Sequence, residues 1–351
     1  MRVAIVNDDH AVAESLRRIV AAQSDLELAW IVFDGEDSVR RCAADTPDLI
    51  LMDLALRHID GIEATRQIMA ATPCAILIVT PVVSADAARI FRAMGFGALD
   101  AVNTPVGLAG EEALLAKIRT ISRLLGKPRL NGRTSMAFPR VESAPPPIAA
   151  APLVVIGSST GGPKALADIF SRLTAPPGAA IVVVQHVDAQ FANGLAGWLD
   201  EFAPCPVKTV VEGARPRVGE VALAQSNDHL VLAPNLTFRY VSQPRDLAYR
   251  PSVDVFFKSV AQLWPGPGIA VLLTGMGSDG GSGLLALRGR GWHTIAQDEA
   301  TSVIYGMPKA AAELGAAVQI LPVEDIARAI ELQLGALVHT SRVSGSRHVH
   351  P

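Results

Sequence analysis

Leu153-Val-Val-Ile-Gly-Ser-Ser-Thr-Gly-Gly162 is a continuous apolar run that ends in a turn of glycines and hydroxyl side chains. Such a run is typical of a buried strand of a parallel sheet that leads into a helix. Gly157 and Gly161 flank Ser159 at two residues on either side, which is the G-x-S-x-G spacing of a nucleophile elbow. Glycines suit these positions because the backbone is strained and an attacked carbonyl must come close. Gly157 and Gly162 also have the spacing of the two glycines in a phosphate-binding loop. Pro163 stands where that loop has its lysine, so a phosphate-binding loop is excluded.

Two later apolar runs end in residues that complement a serine nucleophile. Ala180-Ile-Val-Val-Val184 is followed by Gln-His186, and Gly268-Ile-Ala-Val-Leu-Leu273 leads into a glycine-rich segment that contains Asp279. The carboxyl ends of parallel strands form the ligand crevice at one edge of a sheet. We therefore predict a Ser-His-Asp triad, in which His186 accepts the proton of Ser159 and Asp279 orients the imidazole. About one βα unit separates the serine from the histidine, which predicts that their strands are neighbours.

Each triad residue also has an ordinary structural interpretation, and a glycine turn such as that of Ser159 often simply closes a βα unit. A histidine at a strand end is often a solvated loop residue or a helix cap, and an aspartate in Gly-Ser-Asp-Gly commonly serves the turn itself. Ser158 and Thr160 are alternative nucleophiles, but neither has glycines two residues away on both sides. The coincidence of a serine, a histidine and an aspartate at strand ends favours the triad.

Composition limits the class of protein. The chain has 351 residues, enough for two domains, and half of them are hydrophobic, yet no apolar stretch reaches the length of a membrane span. Its start does not resemble a signal peptide, and its net charge of −3 gives no electrostatic footprint for nucleic acid. Cys42, Cys74 and Cys205 are widely spaced, which favours a reduced protein. We expect a cytoplasmic protein without a nucleic-acid partner and without direct membrane insertion.

The alternation of strands and helices divides the chain into two domains. Residues 1–125 alternate buried strands with amphipathic helices, and a second such alternation spans residues 152–337. Residues 126–151 are rich in proline and alanine and predict a linker, and residues 338–351 predict a disordered tail. The predicted fold class is therefore α/β, with two doubly wound parallel-sheet domains. The strands of the first domain are predicted at Arg2–Asn7, Glu27–Phe33, Leu49–Asp53, Ala75–Thr80 and Ala98–Val102.

Polar side chains follow several strands of the first domain. Asn7 and Asp8 follow the first strand, Asp53 ends the third and Thr80 ends the fourth. Carboxylates at these strand ends can hold Mg²⁺, and a metal-polarised donor can then pass a phosphoryl group to an adjacent carboxylate. The same residue types also serve as helix N-caps and turn residues. Spacing alone leaves both interpretations open.

Longer motifs occur along both halves of the chain. Those of the first half are Val6-Asn-Asp8, Pro47-Asp-Leu-Ile-Leu-Met-Asp53, Ile59-Asp-Gly61, Thr80 and Thr104-Pro105. Those of the second half are Ile156-Gly-Ser-Ser-Thr-Gly-Gly162, Gln185-His186, Arg250-Pro-Ser-Val-Asp254, Leu273-Thr-Gly-Met-Gly-Ser-Asp-Gly280, Thr294-Ile-Ala-Gln-Asp-Glu-Ala300 and Gly306-Met-Pro308. The first set resembles a response-regulator receiver, and the second resembles the chemotaxis methylesterase CheB. The resemblance implies a flavodoxin-like receiver followed by a Rossmann-like methylesterase domain.

The methylesterase resemblance implies hydrolysis of glutamate γ-methyl esters on the cytoplasmic helices of methyl-accepting chemoreceptors. No cofactor is implied for this step, and deamidation of receptor glutamines is a chemically close second activity. The resemblance assigns Ser159 as nucleophile, His186 as base and Asp279 as acid. It also suggests the backbone N–H of Met276 as an oxyanion donor. Thr160 and Gly161 belong to the same oxyanion and substrate region.

The receiver resemblance implies control by phosphorylation, with a CheA-type histidine kinase as the partner. It assigns Asp53 as the phosphorylated residue and Thr80 as the switch hydroxyl. Asp8 and Asp53 are the implied ligands of a Mg²⁺ cofactor. These roles come from the resemblance, since spacing alone leaves a capping interpretation open.

Three positions depart from the usual receiver pattern. Asn7 replaces the first of two adjacent acids (unless Asp8 and Asp9 form that pair), and Arg57 stands where a proline normally follows the phosphorylation loop. Thr104 replaces the lysine that would contact the phosphoryl oxygens, which predicts weaker coupling between phosphorylation and conformation. The Ala-Val-Asn-Thr-Pro sequence looks closer to the Wsp-type branch, whose surface-sensing systems control a diguanylate cyclase, than to flagellar chemotaxis.

Two other classes of function are alternatives to an esterase: a non-catalytic binding protein and a DNA-binding regulator. A receptor-binding adaptor, or a sink for phosphoryl groups with little esterase turnover, is the main alternative, although such a protein has no need of all three triad residues. An output regulator that binds DNA is disfavoured by the acidic balance and by the absence of a basic helix-turn-helix pattern.

Overall fold

Strands and helices alternate along the chain, as the sequence predicts. The computed structural model describes residues 1–81, 86–125, 151–174, 177–245, 247 and 249–345. The elements up to residue 125 are β1 (Arg2–Val6), α1 (His10–Ala21), β2 (Glu27–Val32), α2 (Gly35–Ala44), β3 (Leu49–Met52), α3 (Gly61–Ala71), β4 (Ala75–Thr80), α4 (Ala87–Gly95), β5 (Asp100–Asn103) and α5 (Gly107–Leu125). The five strands lie within about two residues of their predicted bounds.

These five strands form one parallel sheet in the order β2-β1-β3-β4-β5. This is the doubly wound order in which the first and third strands flank the point where the winding reverses. β1, β3 and β4 consist almost wholly of buried residues, because a sheet covered on both faces needs continuous apolar strands. The carboxyl ends of β1 and β3 are therefore neighbours.

Aspartates cap three helices of this sheet. Asp9 accepts hydrogen bonds from the backbone of the first turn of α1, Asp34 does so for α2 and Asp60 for α3. A side-chain oxygen at the N-cap satisfies N–H groups that lack a partner within the helix. The capping interpretation therefore applies to Asp9, whereas Asp8 does not cap α1.

The remaining elements build a second, larger sheet. They are β6 (Leu153–Ser158), α6 (Gly162–Phe170), β7 (Ala180–Gln185), α7 (Ala189–Asp200), β8 (Val207–Thr209), β9 (Val221–Leu223), β10 (His229–Leu232), β11 (Phe238–Val241), α8 (Val253–Leu263), β12 (Gly268–Leu272), α9 (Gly281–Gly289), β13 (His293–Gln297), α10 (Met307–Glu313), β14 (Gln319–Leu321) and α11 (Val323–Gly345). Seven parallel strands lie in the order β14-β13-β12-β6-β7-β9-β8, and β10 pairs with β11 in a separate antiparallel hairpin.

Both faces of the seven-stranded sheet are covered by hydrophobic side chains. Val154 and Ile156 of β6 belong to one buried cluster, whereas Leu153 and Val155 of the same strand belong to another. Alternate residues of a strand point to opposite faces, so the two clusters are the two layers of core on either side of the sheet. The predicted fold class, α/β with two doubly wound parallel sheets, is confirmed.

Two boundaries differ from the prediction. The chain forms two compact units, and α4 belongs to the second because its Phe91 shares a buried cluster with Trp198. Helix α11 continues to Gly345, so residues 338–345 are helical instead of part of a disordered tail. No proline interrupts this segment, and the helix can therefore propagate. The predicted linker up to residue 150 and residues 346–351 lie outside the described residues.

None of the helices in the described ranges has both the length and the apolar character needed to cross a bilayer.

Candidate active site

Ser159 is the first residue after β6, in the turn that leads into α6. It is 6 % exposed. Gly161, just before the helix, has a left-handed backbone with φ of 79°, and a Cβ there would lie 2.6 Å from the Cβ of Val303. Only glycine satisfies both conditions, so the turn needs glycine for its backbone and for its close packing.

His186 is the first residue after β7, the direct neighbour of β6. Ser158 pairs with Gln185 in the strand register, and the backbone N–H of His186 donates to the carbonyl of Ser158 at 3.0 Å. Ser159 and His186 therefore leave the sheet side by side. The predicted adjacency of the two strands is confirmed.

Gln185 ties this pair of strand ends together. Its side-chain oxygen accepts a hydrogen bond from the Ser158 hydroxyl at 2.6 Å. Its amide nitrogen donates to the carbonyls of Ser159 and His186, at 2.9 and 3.2 Å. All four groups are backbone or buried side-chain atoms, so the contacts fix the geometry of the turn. The hydroxyl of Ser158, an alternative nucleophile by sequence, is thus buried and already hydrogen-bonded.

Asp279 is brought to His186 from the segment that follows β12. The Nε2 atom of His186 lies 2.7 Å from Oδ2 of Asp279, and the two side chains are 7 % and 12 % exposed. The same oxygen accepts the backbone N–H of Val253 at 2.7 Å. The other oxygen accepts the Ser252 hydroxyl at 2.8 Å and the backbone N–H of Asp254 at 3.0 Å.

These donors belong to the beginning of α8. Ser252 is the N-cap of that helix, and Val253 and Asp254 are its first two residues. A helix N-terminus presents unpaired N–H groups and a partial positive charge, both of which stabilise a carboxylate. The sequence prediction of the triad missed this support, although a serine before an apolar helix is a recognisable N-cap signal.

Electrostatics keep the Asp279 carboxyl ionised. Burial raises its pKa, but the hydrogen bond and charge of His186, with the bonds from Asp254 and Ser252, outweigh burial and lower the pKa below its usual value. An ionised carboxylate can only accept hydrogen bonds, so Nε2 of His186 carries the proton. The remaining ring nitrogen, Nδ1, is then the basic one.

Nδ1 of His186 is buried and has no hydrogen-bond partner within the described residues. Buried polar atoms are nearly always paired, so an unpaired basic nitrogen indicates a group held for a reaction or a ligand. The ring also stacks on Tyr249, with centroids 4.4 Å apart and planes 7° from parallel. Nothing in the sequence around Tyr249 indicates this contact.

The glycine-rich segment after β12 packs against the serine turn. The backbone N–H of Ser159 donates to the carbonyl of Thr274 at 3.0 Å, and the Thr274 hydroxyl donates to the carbonyl of Thr160 at 3.0 Å. A Cβ on Gly275 would lie 2.6 Å from the Cβ of Ser159, so only glycine permits this approach. Within the described residues, the N–H of the next residue, Met276, has no hydrogen-bond acceptor.

The five-stranded sheet has its own polar site at the ends of β1 and β3. Asp53 is 6 % exposed, and its N–H donates to the carbonyl of Val6 at 2.9 Å. Asn7 is buried, and its side-chain oxygen accepts the backbone N–H of Asp9. Asp8 is half-buried. The structure thus places Asp8 and Asp53 after adjacent strands.

Two of the unusual positions lie near this site. The Nε atom of Arg57 is 3.7 Å from a carboxylate oxygen of Asp8. The backbone N–H of Thr104 donates to the carbonyl of Thr80 at 2.8 Å, which places residue 104 beside the end of β4. Thr80 itself is 1 % exposed.

Among the described residues, no cluster of three or more His, Cys, Asp or Glu side chains is arranged for a metal ion. Mg²⁺ does not need three such side chains, since it is commonly held by one or two carboxylates together with waters and phosphate oxygens. Asp8 and Asp53 supply two carboxylates from neighbouring strand ends. These residues fit Mg²⁺.

The fold and the site define a class of protein: a two-sheet α/β protein in which a serine, a histidine and an aspartate follow three neighbouring strands of the larger sheet, β6, β7 and β12. The family model of the CheB methylesterase matches residues 154–330, and that of the response regulator receiver domain matches residues 3–119. The chain belongs to the CheB family of protein-glutamate methylesterases with a receiver domain.

Curated relatives match nearly the whole chain. Protein-glutamate methylesterase/protein-glutamine glutaminase 1 of Bordetella avium is 52 % identical over 338 residues, covering 94 % of this chain and 96 % of the relative. Protein-glutamate methylesterase/protein-glutamine glutaminase 2 of Cupriavidus metallidurans is 51 % identical over 340 residues, covering 95 % and 99 %. The crystal structure of the Thermotoga maritima CheB methylesterase catalytic domain is 37 % identical, with a TM-score of 0.50, and covers 53 % of this chain and 100 % of that chain.

Proposed function

We propose that this protein hydrolyses glutamate γ-methyl esters on the cytoplasmic helices of chemoreceptors and also deamidates receptor glutamines. The names of its relatives, which state both activities, support the substrate class. The observation that carries the reaction is the buried His186, which follows the strand next to that of Ser159. Its Nε2 atom is hydrogen-bonded to Asp279, and its Nδ1 atom has no partner among the described residues. The receiver domain supports control by phosphorylation.

The triad residues supply nucleophilic catalysis. The hydroxyl of Ser159 attacks the ester carbonyl while Nδ1 of His186 takes its proton, and Asp279 stabilises the imidazolium that forms. The N–H of Met276 stabilises the oxyanion, at a loop where glycine lets the backbone approach the serine. His186 returns the proton to the leaving methoxide, so methanol departs and an acyl-enzyme is left.

Water completes the cycle. His186 takes a proton from the water that attacks the acyl-enzyme, and then returns it to Ser159, so the net reaction turns ester and water into glutamate and methanol. A glutamine side chain presents the same carbonyl, with ammonia as its leaving group. The two activities therefore share one site and are separated by their products.

Product release distinguishes this proposal from its main alternative. Membranes that carry methylated receptors should release methanol, and those with unmodified receptor glutamines should release ammonia, when the full-length protein is added. An adaptor or phosphoryl sink would bind the same membranes and release neither product. Binding without release would therefore overturn the proposed function in favour of that alternative.

For the receiver, we propose that Asp53 accepts a phosphoryl group from a CheA-type histidine kinase. Asp8 and Asp53 would hold Mg²⁺, which neutralises charge on the phosphoryl oxygens when bound. Asp53 is 6 % exposed and directly follows β3. Thr80, the last residue of the adjacent β4, is the switch hydroxyl of this proposal.

Asp53→Asn is expected to abolish phosphorylation, because an amide is too weak a nucleophile to accept the phosphoryl group. The measurement is incorporation of labelled phosphate from a small phosphodonor with Mg²⁺. Asp37→Asn, the same chemical change at a half-exposed carboxylate on α2, serves as the control and should leave incorporation unchanged. Undiminished label in Asp53→Asn would sink the assignment.

Thr104→Lys is expected to increase the stimulation of methanol release by phosphodonor, by about 5-fold or more. Residue 104 lies beside Thr80, so a lysine here can place a fixed cation near the phosphoryl oxygens. Thr104→Met, which adds length without charge, separates the charge from the size. Equal stimulation in all three proteins would mean that the coupling runs by another route.

The Ala101-Val-Asn-Thr-Pro105 segment supports membership of the Wsp-type branch, and we propose a cytoplasmic location, where receptor helices are accessible. Faster methanol release from membranes with a surface-sensing receptor than from those with a flagellar receptor is the expected result. The reverse preference would assign the protein to flagellar chemotaxis.

A further inference from the structure

A second histidine of the methylesterase domain is completely buried and uses both ring nitrogens. His229, at the start of β10, is 0 % exposed. Its Nδ1 atom lies 3.1 Å from the backbone nitrogen of Ser252, and its Nε2 atom lies 2.8 Å from the carbonyl oxygen of Pro244. A backbone N–H can only donate and a carbonyl can only accept. The ring is therefore neutral, with the proton on Nε2 and a lone pair on Nδ1.

The partner of His229 is Ser252, the first residue of a segment that donates three hydrogen bonds to the Asp279 carboxylate. This segment, Ser252 to Asp254, is called the cradle of Asp279. Ser252 accepts the backbone N–H of Val255 as the N-cap of α8, and its hydroxyl donates to Asp279. The next two backbone N–H groups of the helix complete the cradle. Three of the four contacts to the Asp279 carboxylate thus come from the chain segment that His229 holds in place. The fourth contact is the imidazole of His186.

We propose that His229 is a positioning residue of the esterase, which acts through Ser252 to hold Asp279 against His186. This inference deepens the proposed function and rests on it for the assay of activity. The hydrogen bonds of His229 within the described residues go to Pro244 and Ser252, and not to a residue of the proposed triad. Its role is to accept the Ser252 N–H, an otherwise unsatisfied donor just before a buried helix start, and so to restrict where the Asp279 carboxylate lies.

Two amide substitutions separate the two hydrogen bonds of the ring, because each can place one polar atom near the position of one ring nitrogen. In His229→Asn, the side-chain oxygen can replace Nδ1 as acceptor for Ser252, and the bond to Pro244 is lost. In His229→Gln, the amide nitrogen can replace Nε2 as donor to Pro244, and no acceptor faces Ser252. A purely structural role predicts similar losses for both variants, whereas positioning through Ser252 predicts that only the glutamine variant loses catalysis.

In the full-length protein, His229→Gln is expected to lower kcat for methanol release by about 10- to 100-fold, with KM within about 2-fold of wild type. His229→Asn should stay within a few-fold of wild type. His293→Gln is the control. His293 bonds Gln319 at the amino ends of β13 and β14, whereas the candidate site lies beyond the carboxyl ends of the strands, so the kcat of this variant should equal that of the wild type. Circular dichroism and thermal melting establish that each variant is folded at the assay temperature.

Nuclear magnetic resonance gives a readout that does not depend on activity. The downfield proton of the His186–Asp279 hydrogen bond, assigned by its loss in His186→Ala, should persist in His229→Asn and broaden in folded His229→Gln. In the wild type, ring-nitrogen shifts of His229 should show the neutral form protonated at Nε2, a test that needs no folded variant at this position.

An unchanged kcat and an unchanged downfield proton in folded His229→Gln overturn the positioning role, as does equal loss in the asparagine and glutamine variants. The imidazolium or the other tautomer of His229 in the wild type overturns the hydrogen-bond assignment on which it depends. If the wild type releases no methanol, the proposed function fails, and the proton resonance still decides whether His229 positions Asp279.

Discussion

Replacing Ser159 with alanine is expected to reduce methanol release by about 10³-fold or more while the fold is retained. In the proposed mechanism this hydroxyl forms the acyl-enzyme, and without it only the catalysis that comes from substrate binding and the oxyanion donor is left. Ser159 contributes backbone bonds to Thr274 and Gln185, and alanine preserves both. The rate on methylated receptor membranes and the circular dichroism spectrum are the measurements.

Ser158→Ala is the matched control. The Ser158 hydroxyl bonds the buried oxygen of Gln185, so its loss should destabilise the protein by about 1–3 kcal/mol and leave most of the activity. The double variant, Ser159→Ala with His186→Ala, should lose little more activity than either single variant, because the proposed mechanism makes the two residues act as a unit. Wild-type methanol release from Ser159→Ala, together with its loss in Ser158→Ala, would show that the nucleophile is Ser158.

Asp279→Asn should lower kcat by about 10⁴-fold, the size of effect known for an aspartate that sets the tautomer of a triad histidine. The carboxylate oxygens accept four hydrogen bonds. An asparagine has only one oxygen, so its amide N–H groups must face at least one of these donors. If they face Nε2 of His186, the imidazole proton moves to Nδ1, and the ring can no longer accept the serine proton.

Asp188→Asn provides the control for this substitution. Asp188 caps α7, where asparagine serves as well as aspartate, so activity and stability should be nearly unchanged. An Asp279→Asn protein that is folded and stays within about 10-fold of the wild-type kcat would remove Asp279 from the triad.

The free energy of unfolding should also depend on pH differently in the wild type and in Asp279→Asn. The pKa of Asp279 is lowered from 3.8 in the folded state, by His186 and its other donors against the opposing effect of burial. Its ionised form therefore stabilises the fold above about pH 4, and this contribution is lost as pH falls through the lower, folded pKa. Urea unfolding should show the difference in unfolding free energy between wild type and Asp279→Asn shrinking as the pH falls from 5 to below 3.8. A difference that stays constant would mean that Asp279 does not titrate with folding.

The amino-acid sequence alone determined the architecture. Unbroken apolar runs such as that of Leu153–Ile156 report strands buried on both faces, and their alternation with helical patterns predicts parallel sheets. The short separation of Ser159 and His186 predicted adjacent strands, because sequential βα units are usually neighbours. Gly161 was predictable too, since the turn after a buried strand needs a residue without a Cβ.

Only the tertiary structure decided how the candidate site is held. The cradle of Asp279 comes from Ser252 and the start of α8, and the ring of His186 stacks on Tyr249. In the other sheet, only the structure shows that Asp9 caps α1 and that Asp8 does not. Local sequence patterns show whether hydrophobic residues repeat with the period of a helix or of a strand, and how deeply each element is buried. Hydrogen bonds between distant residues depend on how elements pack, and no local pattern carries that information.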